Sequence, residues 1–265
     1  MTDRTHPQTD GGIEQTDGGT AELPAGAHEE EHHLPPLTSV KRWFVTTNHK
    51  DIGILYIATS IFFFLFGGTL ALLFRLELWS SGVDIMSEFA YNQAVSIHGL
   101  LMVFWFLSPI AFGFANYVVP LQLGAKDLAF PRLNAFSYWS YLFSGILVAV
   151  SFFQGGSFAG GWTIYAPLNT PTFMPSIGAT AAVLGLTLFV ISVTVSSVNF
   201  LTTMHRMRAE GLKLRHLPLF SSSILLTTWM MLFAFAALLA VLMILSADHV
   251  LGTTYFASDS PGGAM

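Results

Sequence analysis

Residues 89–125 read FAYNQAVSIHGLLMVFWFLSPIAFGFANYVVPLQLGA, 37 residues with no acidic or basic side chain between Glu88 and Lys126. A helix crosses the hydrocarbon core of a bilayer with about 20 predominantly apolar residues, so this stretch is long enough to span it. Three further runs lack Asp, Glu, Lys and Arg: 52–74, 133–204 and 217–247. Their apolar residues are continuous rather than alternating, which excludes barrel strands. In lipid the backbone must then pair within each segment, which means helices. The run 133–204 has room for two helices, and its middle (Gly155-Gly156-Ser157, Gly160-Gly161, Pro167, Pro171, Pro175) has loop composition. The pattern predicts an all-α membrane protein with five transmembrane helices, near 53–76, 94–118, 136–155, 178–202 and 223–247. Composition agrees: 10% of residues are charged, against about 25% in soluble domains. Gly67-Gly68 lies in the first helix, where small residues let neighbouring helices approach closely.

Orientation follows from the basic residues. Ten of the eleven flank alternate loops: Arg4, Lys41, Arg42 and Lys50 before helix 1, Lys126 and Arg132 between helices 2 and 3, and Arg206, Arg208, Lys213 and Arg215 between helices 4 and 5. The positive-inside rule then places the N-terminus in the cytoplasm and the C-terminus outside, in a multi-pass protein of the plasma membrane.

Residues 1–40 differ from the transmembrane domain, 41–265. They hold eight acidic residues and one basic residue, with no apolar core, and read as a disordered cytoplasmic tail. His28, His32 and His33 lie in it and read as solvated rather than metal-binding. The tail has no signal-peptide pattern. Net charge −5 resides in this tail and gives no reason to expect nucleic acid. The absence of cysteine excludes disulfides, iron–sulfur clusters and thiolate copper sites in this chain.

Three residues carry chemistry. His98 is the histidine inside an apolar span, and an imidazole at that depth needs a partner. The partner is either a group on a neighbouring helix or a metal, since a buried neutral histidine is a ready axial ligand for haem iron. Arg75, the eleventh basic residue, sits at the outer end of helix 1. It either snorkels to the headgroups or pairs with Glu77, or it is held in the bundle for a polar group of a cofactor. Asp127, between Lys126 and Arg132 at the cytoplasmic mouth, reads without further context as a loop aspartate paired with those cations.

The stretch Thr47-Asn48-His49-Lys50-Asp51-Ile52-Gly53-Ile54-Leu55-Tyr56 resembles the entry to the first helix of subunit I of the haem-copper terminal oxidases, the cytochrome c oxidase type. Arg75-Leu76-Glu77, Tyr91-Asn92, Ser96-Ile97-His98-Gly99, Gly113-Phe114-Ala115-Asn116-Tyr117, Asp127-Leu128-Ala129-Phe130-Pro131-Arg132-Leu133-Asn134, Gly161-Trp162-Thr163-Ile164-Tyr165 and Val198-Asn199-Phe200 follow in the family's order across residues 41–265.

The resemblance implies that His98 is an axial ligand of a low-spin haem, with the second histidine supplied by a later helix. Arg75 becomes a partner of a polar haem substituent, which suits an A-type haem, and Trp162 a donor to a propionate. Glu77 and Gly82 resemble a peripheral cation site. Asp127 is expected to open a proton path through Asn116, Asn134, Tyr56, Ser137 and Ser192, whose amides and hydroxyls orient water. Two departures are visible: Ser192-Val193 stands where the family often has paired serines, and Gly185-Leu186-Thr187-Leu188 where Ser-Leu-His-Leu is common.

Family members continue beyond this point into a His-Pro-Glu-Val-Tyr helix, so the chain is expected to be the first five helices of a twelve-helix bundle: a fragment, a truncated product or half of a split subunit. High-spin haem and copper are then expected only in the complete subunit, and no catalytic residue of the oxygen-reducing centre in this chain. The implied function is part of a proton-pumping respiratory oxidase that reduces oxygen to water. Its implied partners are the remainder of subunit I, subunits II and III, membrane lipid, and cytochrome c, a blue copper protein or quinol as electron donor. The alternatives are a five-helix transporter, for which no mid-membrane charges or internal repeat are found, and a non-catalytic membrane scaffold.

Overall fold

The computed structural model describes residues 36–82 and 85–257. The predicted tail falls outside the described residues as far as residue 35, and His28, His32 and His33 with it. The helices are α1 (Val40–Val45), α2 (His49–Glu77), α3 (Glu88–Leu123), α4 (Pro131–Ser151), α5 (Ile177–Arg206) and α6 (Leu219–Leu251), with a 3₁₀ turn at Leu214–His216. No strand occurs among the described residues. Helices α2 to α6 are each long and apolar enough to cross a membrane, matching the five predicted spans.

Most of the helices outrun the predicted ranges, because caps rather than the last apolar residue end them. The Asn48 side chain accepts from Lys50 N at 2.9 Å, Ser87 Oγ from Ala90 N at 3.3 Å, and Ser176 Oγ from Ala179 N at 3.0 Å. Helix α3 therefore starts at Glu88, not near 94. Gly124 (φ 71°) and Gly252 (φ 69°) close α3 and α6 in the left-handed conformation. Helix α4 is the exception in the other direction, ending at Ser151 rather than 155. There Ser151 Oγ bonds Val148 O at 2.6 Å and Ser157 Oγ at 2.8 Å, folding the chain back. The longer helices also take in His49, His205 and His249 at their end turns, so His98 is not the single histidine of the spans. It is the one far from either helix end.

Packing centres on α5. Within its most apolar window 56% of α5 is buried, against 17% for α6, which touches the bundle along one side only. Helices α2 and α3 cross where two glycines meet. A Cβ on Gly53 would lie 2.8 Å from Gly113 O and 3.1 Å from Tyr117 N, and one on Gly113 would lie 2.8 Å from Ile57 Cγ1. The expected role of Gly67-Gly68 is fulfilled by Gly67 alone, where a Cβ would strike Met102 Cε at 2.5 Å; Gly68 has nothing within 4 Å. Gly185 makes a similar approach of α5 to α4, since its Cβ would lie 2.9 Å from Ser144 O.

Helix α3 is not α-helical throughout. Leu101–Leu107 forms a π turn. Tyr141 OH donates to Trp105 O at 2.8 Å and Trp105 Nε1 to Ser144 Oγ at 3.0 Å, so α4 holds the widened turn. A π turn changes the azimuth of what lies on either side of it, here His98 above and Asn116 below.

The antiparallel helices collect one set of loops at each end. Ala209 N donates to Leu123 O at 2.8 Å and Ser221 Oγ to Gln122 Oε1 at 2.6 Å, joining the 124–130 and 207–218 connections. Nine of the ten described basic residues lie at this end, and Arg75 at the other.

Replacing Gly53 with valine pushes a branched side chain against backbone atoms that cannot rotate away. The variant is expected to lose about 1–3 kcal/mol, read as a lowered thermal midpoint in detergent. Gly68→Ala, with open space around it, is expected to leave the midpoint unchanged.

Candidate functional site

Two polar clusters occupy opposite ends of the bundle. The one toward the Arg75 end is built around His98, half-buried on α3. Its Nδ1 lies 2.9 Å from Gly67 O on α2, and the ring meets Phe74 edge to face at 5.6 Å. A carbonyl only accepts, so Nδ1 carries the proton and the lone pair is left on Nε2, which has no hydrogen-bond partner among the described residues. That is the arrangement by which a backbone carbonyl orients a metal-ligating imidazole.

The loop after α4 is tied over this site by two side chains of α3. Gln93 Oε1 accepts from Ser157 N at 3.0 Å, and Ser96 Oγ accepts from Gly161 N at 2.9 Å. The loop thereby lays Trp162 on Gly99, where a Cβ would lie only 2.8 Å from Trp162 Cβ. Phe74 thus lies against the His98 ring, and the half-exposed Trp162 packs on the next residue of the helix, Gly99. Gln93 and Ser96 escaped the sequence reading because a lone amide or hydroxyl in an apolar run has no distinctive spacing.

Arg75 is exposed in a shallow groove with Leu72, Leu76, Leu78 and Trp79. It is not paired with Glu77, whose Oε2 accepts instead from Ile85 N at 2.7 Å and Met86 N at 3.0 Å. Glu77 and Gly82 do line one cavity, together with Glu88, Tyr91 and Asn92. No group of three or more His, Asp or Glu able to hold a metal ion occurs among the described residues.

The second cluster lies at the basic end. Asp51, at the start of α2, takes Arg42 Nε at 2.9 Å, Arg42 Nη2 at 3.0 Å and Thr46 Oγ1 at 2.9 Å, so α1 is fastened to α2. His49 is buried and its Nδ1 donates to Asn116 O at 2.8 Å. The loop bearing Asp127 is clamped to α5: Asn199 Oδ1 accepts from Phe130 N at 2.9 Å, Asn199 Nδ2 donates to Phe130 O at 3.1 Å, and Thr203 Oγ1 accepts from Ala129 N at 2.9 Å. Asp127 is half-buried beside His49 and accepts from Leu128 N at 2.6 Å; it pairs with neither Lys126 nor Arg132. Burial pushes its carboxyl above the ordinary value, while the Leu128 N–H and the charge and N–H of His49 pull the other way.

Four of the expected path residues, Tyr56, Asn134, Ser137 and Ser192, come together, and among the described residues no hydrogen bond joins them to Asn116 or Asp127. Tyr56 OH donates to Ser137 Oγ at 3.2 Å, Ser137 Oγ to Asn134 O at 2.7 Å, and Ser192 Oγ to Ser137 O at 2.6 Å. Four buried atoms in this region have no protein partner: Asn116 Oδ1, both amide atoms of Asn134, and Ser197 Oγ. Buried amides in natural proteins are almost always satisfied, by ordered water when by nothing else. Tyr56, Ser192 and Ser196 also line a cavity of about 10 Å³ with Tyr141 and Phe189, at the threshold for one water. The sequence reading missed His49, Asn199 and Ser196 as parts of this cluster.

These features define a class: a multi-pass α-helical membrane protein with a carbonyl-oriented imidazole toward one end and a cluster of buried hydroxyls and amides toward the other. Residues 51–265 match the family described as Cytochrome C and Quinol oxidase polypeptide I, and the chain belongs to it. It is 50% identical over 230 residues to the heme-copper oxidase subunit I+III of Aeropyrum pernix, covering 86% of this chain and 28% of the relative. To a putative cytochrome c oxidase subunit 1-beta of Streptomyces coelicolor it is 46% identical, covering 84% and 39%. To a probable cytochrome c oxidase subunit 1-beta of Nocardia farcinica it is 41% identical, covering 92% and 41%. The chain therefore spans well under half the length of these relatives.

The Asp127 carboxyl gives a signed pH prediction. Its folded pKa lies above the unfolded one, so between the two values the folded state holds the extra proton and stability falls as pH rises. Asp127→Asn keeps the acceptor for Leu128 N and removes the titration. The variant is expected to have a higher thermal midpoint than the parent at neutral pH and an equal one in acid below the carboxylate range. A midpoint difference independent of pH would contradict the assignment.

Proposed function

We propose that this chain is part of subunit I of a proton-pumping terminal oxidase that reduces oxygen to water in aerobic respiration. In this reading it supplies one axial ligand of a low-spin haem and the entrance of a proton-uptake channel. The observation that carries it is the Nδ1–Gly67 O hydrogen bond, which leaves the lone pair on Nε2 of a His98 ring held against Phe74. This donor fits one side of a haem iron, and the missing ligand is assigned to a later helix of the subunit. When bound, the haem would pass single electrons. Arg75 would face a polar ring substituent and favour added electron density, which suits an A-type haem. The Trp162 N–H would donate to a propionate. Glu77 and Gly82 are proposed as two contacts of a peripheral cation.

At the other end Asp127 would take up protons from the cytoplasm, and the amides of Asn116 and Asn134 would order water toward Tyr56, Ser137 and Ser192. The orphaned buried amide atoms support this reading, because they call for water at those positions. The raised pKa of Asp127 is also that of a group able to hold and release a proton nearer neutral pH. Orientation is assigned with the basic end in the cytoplasm of a plasma-membrane protein. The oxygen-reducing centre, with high-spin haem and copper, is assigned to the remainder of subunit I in a twelve-helix bundle. Subunits II and III are the proposed partners, and cytochrome c, a blue copper protein or quinol the donor class.

His98→Ala in the assembled oxidase tests the ligand role. Loss of the low-spin band from the reduced-minus-oxidised spectrum is expected, with the subunit still inserted in the membrane. An unaltered band would leave His98 a structural residue and favour the scaffold reading. Asp127→Asn is expected to slow proton uptake by reconstituted vesicles at least tenfold, while the same spectrum is retained.

A further inference from the structure

The basic end carries an apolar groove that neither cluster uses. It measures about 650 Å³ and is lined by Thr47, Ala129, Phe130, Pro131, Arg132 and Leu133. Arg132 is exposed at its edge and makes no ion pair among the described residues. Exposed Lys50, in the first turn of α2, and exposed Lys126, on the 124–130 loop, each lie three residues along the chain from a lining residue, Thr47 and Ala129 respectively, and neither is paired among the described residues. A cationic rim around an apolar groove attracts an anion that brings an apolar body with it.

The face of α4 below the groove continues the pattern. Arg132, Phe136, Trp139 and Phe143 recur at helical spacing, i, i+4, i+7 and i+11, and so form one stripe. Phe136 and Phe143 are exposed. Trp139 stacks on Phe44 of α1 at 5.4 Å and leans on Phe143 at 6.1 Å. From Arg132 to Phe143 the stripe rises about 16 Å, close to the hydrocarbon depth of one leaflet, about 15 Å. Helix α1 lies beside it, with Val40, Phe44 and Val45 exposed next to Lys41. That is the composition of a helix resting in the headgroup region. The Arg42–Asp51 pair fastens α1 to the start of α2, just beyond the groove residue Thr47.

We propose that this face binds one anionic glycerophospholipid, its phosphate between the Arg132 guanidinium and the Thr47 hydroxyl and an acyl chain along Phe136, Trp139 and Phe143. Charge complementarity selects the headgroup, and the length of the aromatic stripe selects a lipid over a soluble phosphate. Held there, the lipid sits at the mouth of the loop that carries Asp127 and places a fixed negative charge beside it.

Native mass spectrometry of the delipidated, assembled oxidase, titrated with dioleoyl phosphatidylglycerol or dioleoyl phosphatidylcholine, tests this. One phosphatidylglycerol is expected to bind selectively. Arg132→Gln is expected to weaken it about fivefold, the worth of one basic residue near an anionic surface, and to leave phosphatidylcholine binding unchanged. The haem spectrum reports whether the variant has assembled. Independently of any variant, high salt is expected to reduce the preference of the parent enzyme for phosphatidylglycerol, and inorganic phosphate at equal concentration is expected not to displace the lipid. Equal retention of both lipids by the parent, equal phosphatidylglycerol retention by parent and assembled variant, or displacement by phosphate alone would each overturn the proposal.

Discussion

The close crossing of α2 and α3 at Gly53 and Gly113 is the contact on which the rest of the bundle depends. Between helices in lipid there is no hydrophobic driving force, so association rests on packing and on polar groups finding one another. With Gly53 facing Gly113 O and Gly67 facing Met102, the two backbones run close over the length of the pair. Only at that separation can His98 on α3 reach the Gly67 carbonyl, and His49 on α2 reach the carbonyl of Asn116. One packing constraint thus sets a histidine at each end of the same helix pair.

The two ends then differ in how their polar groups are satisfied. At the His98 end Gln93 and Ser96 hold loop amides and His98 spends one nitrogen on a carbonyl, and Asn169 Oδ1 is the buried side-chain atom without a partner among the described residues of that end. Toward the basic end several buried amide and hydroxyl atoms have none among the described residues. A hydrogen bond from one ring nitrogen to a carbonyl suits holding the His98 imidazole in one orientation, and an under-satisfied polar cluster suits water. Among the described residues Arg42–Asp51 is the ion pair at the basic end.

Much of this was legible from the chain. Long charge-free runs mean spanning helices because lipid forbids unpaired backbone, and the five observed spans overlap the five expected. Helix ends were less legible: Ser87 and Ser176 cap their helices, but a serine before an apolar run looks the same in a loop. Of the site, His98 stood out because a titratable group within an apolar run is costly, and Asp127 only through its place in the ordered family motifs. His49, Gln93 and Asn199 did not, because their partners lie 67, 64 and 69 residues away.

The sequence by itself determined the class, the number of spans, the sorting of cations to one end and the family, all of which follow from local composition and ordered motifs. Tertiary structure alone decided which nitrogen of His98 is protonated, that Asp127 stands beside His49 rather than in an ion pair, that Trp162 folds onto Gly99, and that Leu101–Leu107 widens into a π turn. The reason is physical: hydrophobicity is additive along the chain and can be read residue by residue, whereas a hydrogen bond between helices exists only once packing has fixed the distance between them.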